Sequence, residues 1–346
     1  MNVHRSVLVV LALALPLQGF AQIGSRNVAK TGTVGAAFLE IPAGAAAVGM
    51  GTAFVSHASD ASALYWNPAG AARFEKNQVL ANHMSWIAET RFDFAALILP
   101  LGEAGTVGVS FLSLGMEDMK VRTVDMPEGT GEYFSANDLA VGLSYARKLS
   151  DRFAVGASVK YIQQSIWHET ASAFALDIGT LFRTDLLGGM VIGASLSNFG
   201  TSLTLDGRDT RQFGRVDETI LGSNDRIPST IEMDSWELPL LFQIGVSFDP
   251  VAVDAYRWTV AVDALHPNDN DESMNIGTEL AYSEALFLRA GYHSLFLPES
   301  EGGLSLGFGV TSALLFSSTT DVQLDYAYRD MGRLGGVNMI SFGVRF

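Results

Sequence analysis

The side chains best suited to chemistry in this 346-residue chain are its six histidines, and their settings point away from catalysis. Nucleophilic hydrolysis needs a serine beside a histidine that a third polar group orients. His83 and Ser85 share one alternating segment and His293 lies in another, yet no orienting pattern accompanies either histidine. Hydrogen bonding in a protein interior is the expected role of both. His57, His168 and His266 fall in loops or in the N-terminal region without metal-ligand spacing. Asn268-Asp269-Asn270-Asp271-Glu272 is acidic but lacks the internal glycine and terminal glutamate of a full calcium loop, which leaves a solvated turn. With no cysteine, the chain has no disulfide, thiolate chemistry or lipid-bearing thiol. These residues support no enzyme activity, metal or cofactor.

The densest motif is structural in kind. Ala45-Ala46-Ala47-Val48-Gly49-Met50-Gly51 is followed by Asp60-Ala61-Ser62-Ala63-Leu64-Tyr65-Trp66-Asn67-Pro68-Ala69-Gly70. Gly49 and Gly51 permit close backbone approach and positive φ. Pro68 biases Asn67 away from helical geometry and so ends a short helical turn over Asp60 to Tyr65. Asn67 can then satisfy exposed backbone groups. Asp60, Trp66, Asn67, Pro68 and Gly70, with Gly49 and Gly51, are the candidate functional residues of this region, whose expected task is to fold residues 22–76 into a plug.

The elements that must hold such a plug follow from periodicity. From 77 onward the chain alternates apolar with small or polar residues over 77–87, 90–100, 105–114, 134–147, 153–167, 172–183, 189–199, 236–248, 256–265, 273–282, 286–294, 302–312, 319–328 and 336–346. A period of two means strand. The bulky face is the apolar one, while Gly, Ser, Asn and Gln occupy the other with scattered charges, which is the arrangement of a barrel in lipid. The expected fold is all-β: a fourteen-stranded antiparallel transmembrane barrel over 77–346. Lys160, Asp177, Arg257, Asp263, Glu279, Arg289, His293, Asp325 and Arg329 would point inward, and their mixed signs predict a salt-bridged lumen. The two longest connections, 115–133 and 200–235, fall at the same end, the expected outer side. The charged loop 200–235 is a plausible docking surface on that side.

His4 and Arg5, the apolar run from Val7 to Leu17 and Gly19-Phe20-Ala21 read as a signal peptide over 1–21. The run is too short to span a membrane as a helix. A net charge of −15 argues against nucleic acid as a partner. Export combined with apolar β-composition implies the outer membrane of a diderm bacterium. The last segment places Phe342, Val344 and Phe346 on one face and ends on an aromatic, which resembles the signal read by barrel-assembly machinery.

Gly-Met-Gly, the turn at Asp60 and Tyr-Trp-Asn-Pro-Ala-Gly at this spacing resemble the PorV/PorQ family, within the FadL-type superfamily of outer-membrane barrels. The resemblance covers essentially the whole mature chain. It implies a fourteen-stranded barrel with an N-terminal segment in its lumen. It also implies an accessory role in type IX protein secretion, with secreted cargo or secretion proteins as partners in addition to outer-membrane lipid. The wider superfamily implies the alternative of a channel for hydrophobic small molecules. Many members carry two adjacent acids where Ser59 precedes Asp60, so a role needing paired carboxylates does not carry over.

Overall fold

The structure is a computed structural model describing residues 30–214, 226–298, 300–314 and 320–346. The expected leader and the loop charges Arg215, Asp217, Glu218 and Asp225 lie outside the described residues.

The alternating segments form β1 (Gln78–Ser85), β2 (Arg91–Pro100), β3 (Thr106–Gly115), β4 (Ala136–Lys148), β5 (Phe153–Ile166), β6 (Glu169–Arg183) and β7 (Val191–Gly200). They continue as β8 (Leu241–Val253), β9 (Tyr256–Pro267), β10 (Ser273–Tyr282), β11 (Leu286–Leu295), β12 (Leu304–Thr311), β13 (Asp321–Asp330) and β14 (Gly336–Arg345). Neighbours in sequence pair antiparallel, and β14 returns to β1 with Gln78 opposite Arg345, closing a fourteen-stranded barrel. Closure leaves no barrel strand with an open edge, which is what hydrocarbon demands of a sheet. No helix among the described residues is long and apolar enough to cross a membrane.

The period-two pattern sets the two faces. In β4, Leu143 is 61% exposed while its neighbour Ser144 is 2% exposed, and in β5 Val159 and Tyr161 face out while Ser158 faces in. Connections after odd-numbered strands include the long excursions between Gly115 and Ala136 and between Gly200 and Leu241. Those after even-numbered strands are tight, as between Pro100 and Thr106 or Tyr282 and Leu286. The long-loop end is taken as external.

β8 departs from its expected start. It begins at Leu241 because Pro239 cannot donate to a ladder, and Ser235–Trp236 pairs instead with Leu203–Thr204 in the external loop. At its other end the strand runs through Pro250 by an irregularity in register between Phe248 and Val251. β6 starts earlier than expected, at Glu169.

The lumen is filled by the N-terminal segment. A 3-10 turn at Ala37–Glu40 leads to α1 (Ala45–Gly49), then α2 (Ala63–Trp66) and a second 3-10 turn at Pro68–Arg73. Phe38, Leu39, Val48, Met50, Phe54, Val55, Leu64 and Trp66 are buried between this segment and the inner wall. The core therefore lies inside the ring, and it is made by the plug.

Two sequence expectations are corrected by the placement of side chains. His83 points outward, because Gln78, Leu80, Asn82 and Met84 take the inward positions of β1, and its Nδ1 sits 2.7 Å from Asp93 Oδ1 on the neighbouring strand. The acidic turn is only partly solvated: Asp269 is buried, whereas Asn270 and Asp271 are exposed.

Candidate functional site

The plug motif works as a set of fasteners. Asp60 Oδ1 accepts from the Ser62 backbone N–H at 2.8 Å and from its hydroxyl at 2.5 Å, an Asx-type turn that opens α2. The helix stops at Asn67, whose extended backbone (φ −160°, ψ 102°) is the conformation that a following proline favours. Pro68 then starts the second 3-10 turn at its first position, where no N–H is needed.

Asn67, with no solvent exposure, spends its amide on both sides of the junction. Nδ2 donates to Val55 O at 2.9 Å within the plug and to Thr180 O at 3.0 Å on β6, while Oδ1 accepts from Ala69 N at 3.1 Å. Trp66 Nε1 donates to Ala43 O at 2.8 Å and its ring stands edge-on to Phe54, joining α2 to the α1 region. Gly70 lets Ala58 and Ala63 approach where any side chain would collide.

Gly49 and Gly51 meet the opposite wall. A Cβ on Gly49 would lie 2.9 Å from Gly307 Cα in β12, and one on Gly51 would collide with the Gly291–Tyr292 backbone in β11. Gly51 also has φ +60°, so both space and conformation call for glycine. The wall reciprocates: Gly156 of β5 faces Pro68 and Ala69, Gly193 of β7 faces Val55 and Ser56, and Gly277 of β10 faces Met50.

Several fastening residues lie outside the plug motif, and of them only Asp263 and His293 were expected to point inward. Gly44, the residue just before α1, has no side chain with which to cap the helix's exposed N–H groups. The wall supplies the caps: Asn82 Oδ1 accepts from Gly44 N at 3.2 Å and Ser341 Oγ accepts from Ala45 N at 2.8 Å. Asp263 Oδ2 accepts from Phe54 N at 2.7 Å and Val55 N at 2.9 Å. Thr52, a β-branched residue held at φ +64°, donates to Gly51 O and lies 2.8 Å from both His293 Nδ1 and Asn275 Nδ2. Strain of that kind persists only where its surroundings over-determine it. The available signal was an inward position in β1, β9 and β14 that carries a hydrogen-bonding side chain.

Charged interior residues form two groups. Arg289 lies between Glu279 and Asp325, 2.6 Å from each, and Arg257 links Glu279 (3.0 Å) to Glu284 (2.6 Å), so the chain of charges crosses β13, β11, β10 and β9. Across the lumen Lys160 and Asp177 pair at 2.9 Å, with Asn198 hydrogen-bonded to both. These two groups gather the predicted Lys160, Asp177, Arg257, Glu279, Arg289 and Asp325; Asp263 and His293 instead hold the plug.

Beside the plug, towards the external end, is a cavity of about 230 Å³ bordered by Leu39, Tyr65, Phe94 and Leu112 on its apolar side and by Lys160, His293 and Arg329 on its polar side. Glu40 is open to the space yet largely surrounded by protein, and this desolvation, with the nearby Asp269 second, lifts its carboxyl to about 7. Burial likewise pushes the Tyr65 phenol upward, and its hydroxyl donates to Leu39 O at 2.8 Å. Towards the periplasmic end burial lowers the His57 imidazole, and Arg73 donates to His57 O at 3.2 Å. Among the described residues no cluster of His, Asp and Glu is arranged to hold a metal ion.

The family model described as "Type IX secretion system protein PorV" matches residues 24–234, spanning the plug and the strands to β7. The chain belongs to the PorV family. A comparison with curated protein sequences returned no match. Solved structures with the same fold include the Ralstonia pickettii toluene transporter TbuX, at 12% identity and TM-score 0.56 over 88% of this chain and 98% of that one. The Pseudomonas putida toluene transporter TodX aligns at 13% identity and TM-score 0.54 over 88% and 97%, and a Pseudomonas aeruginosa FadL homologue at 11% and 0.53 over 88% and 98%. At such identities the likeness is one of fold. This PorV-family chain is thus an outer-membrane β-barrel that shares its fold with those proteins, from a family of secretion-system proteins.

The C-terminal residues Phe342 and Val344 sit on the outward face of β14 opposite Ala81 and Val79 of β1, and Phe346 N and O exchange hydrogen bonds with Asn77. They form the closing seam of the barrel.

Proposed function

We propose that this PorV-family barrel serves type IX secretion at the outer membrane of a diderm bacterium by binding secreted cargo or secretion partners on its external loops and rim. No covalent bond is made or broken in this role. The carrying observation is the fixed plug: Asn67, Asp263, Asn82 and Ser341 tie it to separate parts of the wall, and the Arg289 network bridges strands at one side of the lumen. A barrel so filled offers its rim, not its bore, to a polypeptide. Barrel-assembly machinery reading Phe342, Val344 and Phe346 would install it.

The cavity beside the plug favours a second reading, passage of hydrophobic small molecules. Its volume of about 230 Å³ falls below the roughly 300–1,000 Å³ of ordinary ligand pockets, and Lys160, His293 and Arg329 border it, so it ranks second. Affinity purification of the tagged barrel from its native membrane separates the two. Co-isolated secretion proteins or cargo tails are expected; bound fatty acid or hydrocarbon without them would overturn the first reading.

A further inference from the structure

On β6 the outer wall stays apolar toward the external end, where Ile178 and Phe174 are exposed. On β1 it does not: the outward residues are Val79, Ala81, His83 and Ser85, and Ser85 stands roughly 16 Å above Val79, at about 2.6 Å per residue on a strand tilted by about 40°. The turn into β2 begins at the next residue, so His83 and Ser85 meet lipid in its external leaflet. Behind them Met84, Phe92 and Met339 are buried and apolar, and the polar groups face outward only.

Strand register assembles around Ser85 the parts that ester hydrolysis needs. His83 is two residues away on the same face, about 6.6 Å along the strand, a gap that an imidazole ring and the serine Cβ–Oγ bond together bridge. The sequence shows no orienter for this histidine because the orienter is on the next strand: Asp93 lies opposite His83, with Oδ1 2.7 Å from His83 Nδ1. A carboxylate only accepts, so Nδ1 carries a proton and the neutral ring keeps Nε2 as its base. Arg91 lies opposite Ser85 on β2, and Asn338 opposite it on β14. Asn338 Oδ1 accepts from the Tyr326 hydroxyl at 2.6 Å, which leaves the Nδ2 hydrogens to donate. Toward the periplasm the same face carries Ala81, Ala95, Ile340 and Phe342, a bed for an acyl chain. Contact with headgroups would ask only for polar side chains here, not for an acid held on the histidine with a serine two residues on.

We propose that Ser85, His83 and Asp93 form a lipid-facing esterase site that cleaves the carboxylic ester of an acyl chain in the outer leaflet. Ser85 Oγ attacks the ester carbonyl carbon as His83 Nε2 takes its proton, and the oxyanion forms between Arg91 and Asn338 Nδ2. The carbon–oxygen bond to the lipid alcohol then breaks, and the proton passes from His83 to the departing oxygen. Water attacks the acyl-serine as His83 takes its proton, the bond to Ser85 Oγ breaks, and that proton returns to the serine, leaving a fatty acid. Asp93 acts through His83 as a positioning residue. The activity is separate from cargo binding at the loops, and neither rests on the other.

The test reconstitutes the full chain in vesicles of phosphatidylethanolamine, and separately in vesicles containing lipid A from the native membrane, and measures released fatty acid by mass spectrometry. Release from either is the expected result and tells which lipid supplies the ester. Hexadecylsulfonyl fluoride should modify Ser85 and stop the release. Ser85→Ala and His83→Ala should each lower kcat by about a thousandfold or more, and Asn338→Leu by about a hundredfold, with folding verified by heat-modifiable mobility. Asp93→Asn should lower kcat about a hundredfold at unchanged KM, and Asp93→Glu should restore part of it, which an acid serving only the fold would not do. No release from either lipid by the wild-type protein, release undiminished in folded Ser85→Ala, or modification of Ser113 in place of Ser85 would each overturn the proposal.

Discussion

Asn67 of the plug occupies the space that Gly179 of β6 leaves empty: a Cβ on Gly179 would overlap the Asn67 amide that bonds the adjacent Thr180 carbonyl. The plug is thus keyed to the wall by an absent side chain on one partner and a fully used one on the other. Gly179→Val should expel Asn67 and destabilise the barrel by about 1–3 kcal/mol, the usual cost of overpacking. Asn67→Ala should cost about 3 kcal/mol, since Val55 O, Thr180 O and Ala69 N lose their partner together. Thermal unfolding in detergent measures both, and wild-type stability in both variants would dismiss the keying.

The Arg289 network supports a contrast between breaking and replacing. Arg289→Met leaves Glu279 and Asp325 facing each other without the guanidinium between them, and removing one partner of a buried pair costs about 3–5 kcal/mol. Arg289→Met combined with Glu279→Gln and Asp325→Asn should recover most of that loss, because the charges leave together. Equal destabilisation of the single and triple variants would show that the network acts through shape rather than charge.

The ring was legible in the sequence because lipid imposes one rule on every outward position: Leu143, Val159 and Ile178 all obey it. That rule misplaced His83, where the outer face ceases to be apolar. The plug motif was legible as text, since Pro68 and Asn67 act locally. Its partners were not, because Asn82, Asp263 and Ser341 are ordinary inward polar residues whose task depends on what lies opposite. The recurrent inward glycines, Gly156, Gly193 and Gly277, are the feature that in hindsight marks a wall pressed against backbone.

Glu40 sets a pH dependence on plug docking. Its folded-state value of about 7 lies above the ordinary 4.5, so between those limits the native state binds more protons than the unfolded chain, and stability rises as pH falls from about 7 towards 4.5. Hydrogen-exchange protection factors of residues 36–44, which divide out the base-catalysed intrinsic rate, should therefore be larger at pH 5.5 than at pH 7.5. In Glu40→Gln that difference should shrink; an unchanged profile would assign it to another group.

The last prediction concerns passage through the bore. Asp263 and Asn67 hold the plug at separate points, β9 and β6, and each bond set is buried, so either alone should keep the segment in place. Wild-type protein in a planar bilayer is then expected to show no large steady conductance, and Asp263→Ala or Asn67→Ala singly should show only brief openings. Removing both leaves Phe54, Val55 and the α2 end without those ties, while the Arg289 network still bridges strands β10, β11 and β13 at one side of the lumen. The double variant should therefore open often but to a sub-maximal level, and adding Arg289→Met should raise that level. A wide steady pore in the wild-type chain would show that the plug does not close the bore, and would remove the reason for assigning function to the rim.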